Sequence, residues 1–579
     1  MVYGYNTFQV DIKNLKFESA EGEKYSKTAI IKFQVETRTS PIVELMGYVE
    51  EEDIFKMIDE GKPIILDQCY VTRFSLENYR ATRKLEPKEK VTIKGFRAHE
   101  AFFDSSLPFD FTDAIFDSGD FDLTSSWFHR GKLNFDSTEF ECKKISFHDV
   151  HIGDYNFEFK NVRINDADVD FRNTVFGTGI KDFQYTEFGK GELSFTNTEF
   201  NDGDVSFINA QFGGETNFKV ARFGEGKVDF HYAKFKNSKI SFERTEFGNG
   251  RVDFRTVEFG RGKVNFNRAE FGDGEVSFEA SEMQSGKFSF KRALFGTGLV
   301  SFDEALFIDT EVSFERTVFG HGTISFYKSK FESLSFRFCH LDDYVDLRLL
   351  ECKTIDLSDT IVRDIIDLNP YEFELKVEQI SFAGMRLIGR IYIDWKRNHV
   401  RSLIVSQKDT NQRVRAEQFR ILKENFSSCG QYEDEDRSYV EFKRHEARAN
   451  LKDTVSRNKI NAIWSYPLHW FKLVLFDRAG LYATSPFRVL ITMLSVFVIF
   501  SLVYVVLILT TSADIKASVP DSLSVVARSF YHSAITFLTI GYGDHFPYHS
   551  IRWVSSLEGF AGLFLMSYFT VAFVRKVLR

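Results

Sequence analysis

A six-residue run near the C-terminus carries oxygen atoms in a spacing that suits a dehydrated cation. The run reads Thr539-Ile540-Gly541-Tyr542-Gly543-Asp544, and a long apolar segment stands on each side of it. A cation that enters a narrow pore loses its water, and rings of backbone carbonyls can replace that hydration shell. Successive carbonyls face one axis only if the backbone alternates in conformation, and positive φ is cheap only for glycine. We expect the cation ligands to be the carbonyls of Thr539, Ile540, Gly541 and Tyr542, together with the Thr539 hydroxyl.

The run and its flanks resemble the selectivity filter of two-transmembrane potassium channels. In that family a short pore helix ends just before the filter, where this chain has Ser533-Ala-Ile-Thr-Phe-Leu538. The resemblance implies an aromatic collar at Phe530 and Tyr531, filter support from Thr536, and Asp544 at the outer mouth. Leu538 stands where Thr is common and Ile540 where Val is common, and neither change removes a filter oxygen. The resemblance also implies a homotetramer with potassium as the permeant ligand and no other cofactor.

Two segments are long and apolar enough to cross a bilayer, which requires about 20 apolar residues. They cover residues 489–510, which carry no charge, and residues 553–574. The loop between them, residues 511–547, contains the expected pore helix and the filter. Irregular backbone at membrane depth is tolerated only where protein or water satisfies it. A tetramer around a pore supplies that environment.

Basic residues at the ends of the spans predict the orientation. They are Lys472, Arg478 and Arg488 before the first span, and Arg575, Lys576 and Arg579 after the second. The positive-inside rule then puts both termini in the cytoplasm and the filter loop outside. We expect a multi-pass protein of the plasma membrane of a prokaryotic cell.

Two residues of the second span leave alternatives open. Glu558 is an ionisable group inside a span, which makes it a functional candidate. It could instead have a structural role and bond the back of the filter loop. Gly562 could be a gating hinge, because glycine weakens a helix locally. It could equally mark a close contact between helices, where small residues are favoured.

Composition narrows the classes of function. The chain has 579 residues and a net charge of −9, which disfavours a general nucleic-acid-binding surface. Its five cysteines are scattered singly, as in a reducing cytoplasm without structural zinc. Residues 1–13 lack the apolar core of a signal peptide. No nucleophile–base pair, metal cluster or phosphate loop stands out, so we do not expect an enzyme.

Phenylalanine recurs in a regular frame through residues 96–395. The chain contains 65 Phe, and in this region spacings of five and seven residues alternate. The frame runs through Phe111, Leu123, Phe135, Phe147, Phe159, Phe171, Phe183, Phe195 and Phe207, drops one residue, and resumes at Phe218, Phe230, Phe242, Phe254, Phe266, Phe278, Phe290, Phe302, Phe314 and Phe326. Most of these residues follow a Val, Ile, Leu or Ala by two positions, so that both side chains point inwards.

This frame resembles pentapeptide-repeat proteins, whose five-residue units form the sides of a right-handed, quadrilateral β-helix. Every second unit here gains two residues within Gly-x-Gly, as in Gly248-Asn-Gly250, Gly260-Arg-Gly262 and Gly272-Asp-Gly274. A coil then needs about 24 residues, and we expect these glycines to supply the positive φ of the corners. Stacked coils should lie about 4.8 Å apart, with Phe rings inside. The glycines open no helix, so a dinucleotide site is not indicated.

These patterns divide the chain into five regions. Residues 1–95 form a small α/β or β-rich cap, 96–395 the β-helix, 396–460 a helical hairpin coupler, 461–487 a juxtamembrane interfacial helix and 488–579 an all-α two-span pore domain with a re-entrant pore helix. The segment 461–487 suits the membrane interface because Trp464 and Trp470 stand beside apolar residues and Lys472. Docking of that helix on the β-helix is the alternative.

The sequence therefore predicts a potassium-selective channel whose β-helix regulates gating through the segment before the first span. One alternative is a membrane-anchored interaction scaffold, and another is a weakly selective cation channel. The β-helix could bind a cytoplasmic ligand or protein. Some pentapeptide-repeat proteins resemble DNA and bind topoisomerases, but a membrane-tethered location argues against that function, and we expect no nucleic acid.

Overall fold

The chain forms two compact units, which are described separately. The computed structural model describes residues 5–35, 40–236, 239–408, 410–457, 462–520 and 522–578; Arg579, one of the residues used for orientation, lies outside them. The first unit is Met1–Ser406 and the second is Gln407–Arg579.

The first unit is a β-helix whose short parallel strands line four faces. One face is a 13-stranded sheet. Its strands are Phe109–Asp110, Leu133–Asn134, Phe157–Glu158, Lys181–Asp182, Val205–Ser206, Val228–Asp229, Val252–Asp253, Val276–Ser277, Val300–Ser301, Ile324–Ser325, Val345–Asp346, Ile365–Asp367 and Arg390–Tyr392. The other faces run from Cys69–Val71 to Arg386–Leu387, from Val91–Ile93 to Lys234–Phe235, and from Ile64–Ile65 to Lys376–Ser381.

The strand register confirms the predicted coil length. Phe109 pairs with Leu133, 24 residues later, and the step shortens to 23 residues where Leu193 pairs with Thr216. That shorter coil is the place where the sequence frame drops one residue. Beyond the last Gly-x-Gly insert the coil contracts again, and Ile324 pairs with Val345.

Stacked phenylalanines fill the interior, as predicted. Phe183, Phe207, Phe230 and Phe254 form one ladder, with successive ring centroids 4.7, 4.7 and 4.9 Å apart and planes within about 10° of parallel. All four side chains are fully buried. Since each ring contacts its counterparts in the coils above and below, every coil depends on its neighbours for its buried surface.

The expected role of the corner glycines is wrong at most positions. Gly260 and Gly262 have positive φ, but Gly248 and Gly272 do not. A Cβ built on Gly272 would lie 2.5 Å from the carbonyl oxygen of Gly248 in the preceding coil. These corners therefore need glycine because adjacent backbones approach closely, and no side chain fits between them.

The left-handed conformations occur elsewhere in each coil, on residues that are not glycine. They fall two positions after a frame residue, with φ between 52° and 60°: Asp113, Ser125, Ser137, Asp149, Asn161, Asn173, Tyr185, Asn197, Asn209, Val220, Tyr232, Arg244, Thr256, Arg268, Ala280, Arg292, Glu304, Arg316 and Lys328. Polar residues such as Asn and Asp tolerate this conformation best.

A small α/β cap continues directly into the stack. Strands Tyr5–Lys13, Lys27–Val35 and Ile42–Val49 pair antiparallel, and the last of them pairs in parallel with Cys69–Val71. Helices α1, Glu51–Asp59, and α2, Leu76–Arg83, complete this end, together with the pair Phe17–Glu18 and Lys24–Tyr25. Parallel stacking thus begins at Ile64–Ile65, within the range that the sequence analysis assigned to the cap.

At the other end of this unit, the short helix α3, Val400–Val405, lies against the strand Lys376–Ser381. The cap and α3 cover the two ends of the stack, which would otherwise present unpaired strand edges.

The second unit is mainly helical. Its elements are α4, Gln412–Ser428; α5, Tyr432–Arg457; α6, Ala462–Lys472; a π-helix, Leu473–Arg478; α7, Pro486–Thr510; a strand, Asp514–Ala517; α8, Val525–Phe537; a strand, His545–Tyr548; and α9, Ile551–Val577. Helices α4 and α5 form a hairpin. Among the described residues, α7 and α9 are long and apolar enough to cross a membrane. Helix α8 and both short strands lie in the loop between them.

Candidate functional site

Helix α8 leads directly into the run Thr539–Asp544. Its start is capped by Ser524, whose hydroxyl accepts from the Ala527 amide at 3.2 Å. Past its end, the amides of Ile540 and Gly541 both donate to the Ile535 carbonyl, at 2.9 and 3.2 Å. The run is therefore tied to the last turn of α8, at the end of the helix dipole that attracts cations.

The backbone of the run alternates between left-handed and other conformations. φ is 56° at Thr539, 63° at Gly541 and 76° at Gly543, with Ile540 and Tyr542 between them. A Cβ added to either glycine would meet nothing within 4 Å, so conformation and not space requires glycine here. Thr539 adopts the same region although it has a Cβ, which the sequence analysis did not anticipate.

Asp544 anchors the C-terminal end of the run. Its carboxylate accepts from the Tyr531 hydroxyl at 2.7 Å, and this bond holds the pKa of Asp544 below its usual value. The Asp544 carbonyl accepts from the Ser518 amide at 2.8 Å. Ser518 directly follows the strand Asp514–Ala517, which pairs with His545–Tyr548. This hairpin thus fixes the segment in which the run ends.

Glu558 is fully buried and bonds to residues of α7 and α8. Its carboxylate accepts hydrogen bonds from the hydroxyls of Tyr504 on α7 and Ser533 on α8. Ser555, one turn earlier on α9, lies 3.2 Å from the Tyr504 hydroxyl and 2.9 Å from His532 Nε2. One polar network therefore joins α7, α8 and α9. The sequence analysis named Glu558 but missed its partners, whose only signal was polarity within apolar helices.

The remaining predicted residues lie on the same three helices. The Phe530 ring contacts Phe497 of α7 edge to face, with centroids 5.9 Å apart. The Thr536 carbonyl accepts from the Thr539 amide at 3.1 Å. Gly562 is buried against the Phe537 carbonyl oxygen, which a Cβ would overlap. Close packing thus accounts for glycine at this position, and its role as a hinge remains a prediction.

A comparison with family models finds a match in this part of the chain. Residues 491–579 match the family described as "Ion channel". A search of curated proteins and a search of solved structures find no match. The matched residues include most of α7 and all of the loop and α9, so an ion-channel domain follows the β-helical unit.

The C-terminal end of α9 is held by α5. Asp436 lies 2.9 Å from both Arg575 Nη2 and Lys576 Nζ. The Arg575 guanidinium also stacks over the Tyr439 ring, 4.5 Å from its centroid. These contacts join Asp436 and Tyr439 of the hairpin to two basic residues in the last turn of α9. We call this set of contacts the clasp.

A second set of contacts ties α9 to the segment that precedes α7. The Tyr568 hydroxyl accepts from the Ala483 amide at 2.8 Å and donates to the Phe476 carbonyl at 2.9 Å. Leu481, Tyr482 and Ala483 all have positive φ, at 49°, 54° and 63°. Three consecutive left-handed residues other than glycine store strain, which persists only where surrounding contacts enforce it.

Two groups of carboxylates and histidine in the β-helical unit have spacing that could suit a metal ion. They are Glu21, Asp67 and His99, and Asp229, His231 and Asp253. In the first group Arg97 lies 2.5 Å from Asp67. In the second, Lys227 lies 2.5 Å from Asp229 and Arg255 lies 2.7 Å from Asp253. Cationic side chains thus already neutralise these carboxylates, and we assign no metal to either group.

Proposed function

We propose that the chain forms a homotetrameric, potassium-selective channel of the cell membrane, with both termini in the cytoplasm. The observation that carries this proposal is the backbone of Thr539–Asp544. It is tethered to the end of α8, and positive φ recurs at every second residue. Four such strands around an axis would present rings of carbonyl oxygens to a desolvated cation.

The exposed side chains of the run Thr539–Asp544 support assembly of several chains around it. In the single chain the side chain of Ile540 is 46% exposed and that of Tyr542 is 71% exposed. Irregular backbone at membrane depth needs protein or water around it to satisfy its polar groups. Copies of the same segment placed around a fourfold axis would provide that cover.

The contacts of α9 support gating through the segment before the first span. The clasp at Asp436 and the Tyr568 hydroxyl link the cytoplasmic end of α9 to α5 and to the strained turn Leu481–Ala483. We infer that movement of the hairpin α4–α5 changes the position of α9, which would line the pore. π-helical turns, such as Leu473–Arg478, often occur at functional sites.

Flux through reconstituted protein tests the proposal. Liposomes that contain the full chain should take up potassium at least about tenfold faster than sodium, and barium should block the uptake. Gly541→Ala, which strains a left-handed position, should abolish uptake, whereas Gly430→Ala at the α4–α5 turn should not. Equal potassium and sodium uptake would overturn selectivity and leave a weakly selective cation channel.

A membrane-anchored interaction scaffold is the second candidate, favoured by the long polar surface of the β-helix. It predicts no ion flux from a correctly assembled protein. Absence of flux from a protein that is tetrameric by cross-linking would favour the scaffold over the channel.

A further inference from the structure

A cavity of about 350 Å³ lies between α5 and the segment made of α6 and the π-helix. Residues of α5 line one wall, among them Arg448 and Thr454. Residues of the second segment line the other, among them His469, Lys472 and Phe476. Every lining residue belongs to the second unit, and none has a role in the candidate filter site.

The cavity carries an excess of positive charge. Its acidic lining residues are Glu446 and Asp477, and both are already paired. Lys443 lies 2.8 Å from Glu446, and Arg444 lies 2.8 Å from Asp477. In the described part of the chain, no carboxylate lies within 4.0 Å of the Arg448 guanidinium or the Lys472 ammonium. Two cations therefore face the cavity without an acidic partner, and the His469 ring adds further polar atoms.

The side of α6 that faces away from the cavity is strongly apolar and exposed. On α6 the side chain of Trp464 is 80% exposed, that of Trp470 63% and that of Phe471 61%. Trp beside Lys and apolar residues suits the boundary between head groups and acyl chains of a bilayer. Helix α6 also stands shortly before α7, the first of the two candidate spans. A ligand in the cavity would thus lie at the depth of lipid head groups.

We propose that this cavity binds the phosphoryl group of an anionic ligand, with Arg448 and Lys472 as the charged contacts and His469 as a hydrogen-bonding group. Basic pockets at this level of a membrane protein attract anionic head groups. The chemistry is shared by a phospholipid head group and by free phosphate, and the exposed aromatic face of α6 favours the phospholipid. Apolar lining residues such as Leu468 and Leu473 suit the first carbons of an acyl chain.

The residues that line the cavity connect a bound ligand to α9 of the proposed channel. Phe476 and Asp477 line it, and the Phe476 carbonyl accepts from the Tyr568 hydroxyl of α9. A bound anion would strengthen the contact between α5 and α6 and thereby the hold on α9. This regulatory consequence rests on the proposed function, whereas binding itself does not.

A matched pair of double variants tests the site in the full-length protein in neutral detergent. Arg448→Gln/Lys472→Gln removes the two cavity cations. Lys452→Gln/Arg457→Gln removes two exposed cations from α5 that do not line the cavity. Both change the net charge by the same amount, and all four residues are exposed, so both variants should fold. The probes are short-chain phosphatidylglycerol, short-chain phosphatidylcholine and inorganic phosphate, with affinity measured by thermophoresis.

We expect saturable binding of phosphatidylglycerol that the cavity variant weakens by about tenfold or more and the control variant by less than about twofold. Competition by inorganic phosphate at similar concentrations would identify free phosphate as the ligand, and weak competition would identify the lipid. Either result supports the site. Equal weakening in both variants, equal binding of phosphatidylcholine, or no saturable binding would overturn it. Because no flux is measured, failure here leaves the channel proposal untouched.

Discussion

Glu558 is the residue whose contacts join α8, the helix that leads into the candidate filter, to α7 and α9. Its buried carboxylate accepts from Tyr504 and Ser533, which belong to different helices. Without this carboxylate the two hydroxyls keep only longer bonds, Tyr504 to Ser555 at 3.2 Å and Ser533 to the Phe497 carbonyl at 3.3 Å, and the loss costs about 1–3 kcal/mol. We expect Glu558→Ala to lower the thermal stability of the assembled protein and to reduce potassium uptake by at least about tenfold, since every 1.4 kcal/mol is a factor of ten.

Two further variants sharpen that test. Glu558→Gln keeps one acceptor oxygen and should retain more uptake than Glu558→Ala. Ser556→Ala is the control, because its hydroxyl donates to the Arg552 carbonyl of its own helix. If Glu558→Ala behaved like the control, the network would have no role in holding α8.

Lys181 is a charged residue in an otherwise apolar column of the β-helix. Its strand neighbours are Phe157 and Val205, and its ammonium donates to the Asp202 carbonyl at 2.6 Å. Burial lowers the pKa of Lys181 from 10.5 to about 8. A buried cation is costly, so Lys181→Leu should stabilise the first unit by about 1–3 kcal/mol at pH 7.

The pH dependence of that effect has a definite sign. Because the pKa of Lys181 is lower in the folded state, the unfolded chain binds more protons between about pH 8 and 10.5, and stability should rise with pH across that window. Denaturant unfolding followed by circular dichroism should show this rise in the native chain and in Lys190→Leu, an exposed control. The rise should be absent in Lys181→Leu; its persistence there would assign it to other groups.

At the scale of single elements, the repeated left-handed position of each coil predicts which residues suit it. Val220 occupies this position with φ of 59°, although a β-branched residue is strained there. Asn209, with φ of 57°, fills the equivalent position of the preceding side. Val220→Asn should stabilise the coil by about 1 kcal/mol, and Asn209→Val should destabilise it by a similar amount. Hydrogen exchange of the neighbouring amides measures both; the same sign for both changes would contradict the assignment.

The turn before α7 is the element that we expect to respond to gating movements. The Tyr568 hydroxyl holds it by accepting from the Ala483 amide. Tyr568→Phe leaves that amide unpaired, at about 1–3 kcal/mol, so the equilibrium should shift away from the conformation described by about tenfold. Single-channel open probability measures the shift. Tyr466→Phe, an exposed tyrosine of α6, is the control, and an equal effect of both changes would exclude a specific role for this contact.

The elements that could be predicted from the sequence are those with a local or periodic signal. The Phe frame predicted the coil length and the one-residue contraction at Leu193–Thr216, because every coil repeats the same inward positions. Apolar runs predicted the two spans. The residues Thr539–Asp544 predicted that positive φ would recur at Gly541 and Gly543.

The features that could not be predicted depend on residues far apart in the chain. Gly272 is required by the carbonyl of Gly248 in the preceding coil, and a single repeat does not reveal how closely the two backbones approach. The partners of Glu558 lie on two other helices, and their positions follow only from helix packing. The clasp at Asp436 joins residues that are about 140 positions apart in the chain, with no motif to connect them.

For the whole molecule, the division into two compact units suggests that conduction and regulation are separable. The second unit, Gln407–Arg579, contains α5 with its clasp on α9 as well as the complete candidate filter. A chain that starts at Gln407 should therefore keep the potassium selectivity of the full chain, because the contacts described for the filter run, to Tyr531, Ile535 and Ser518, lie within the second unit. On the prediction that the β-helical unit regulates gating, the open probability of this shorter chain should differ from that of the full chain.

A second truncation separates the contribution of the hairpin from that of the β-helix. A chain that starts at residue 462 lacks α4 and α5 and frees Arg575 and Lys576 from Asp436. We expect its open probability to change further, by about tenfold for each 1.4 kcal/mol that the clasp contributes. Single-channel recording of the three chains under equal potassium concentrations makes the comparison. Identical open probabilities in the full chain and in the chain from Gln407 would make the β-helix a passive appendage and place all regulation in the hairpin.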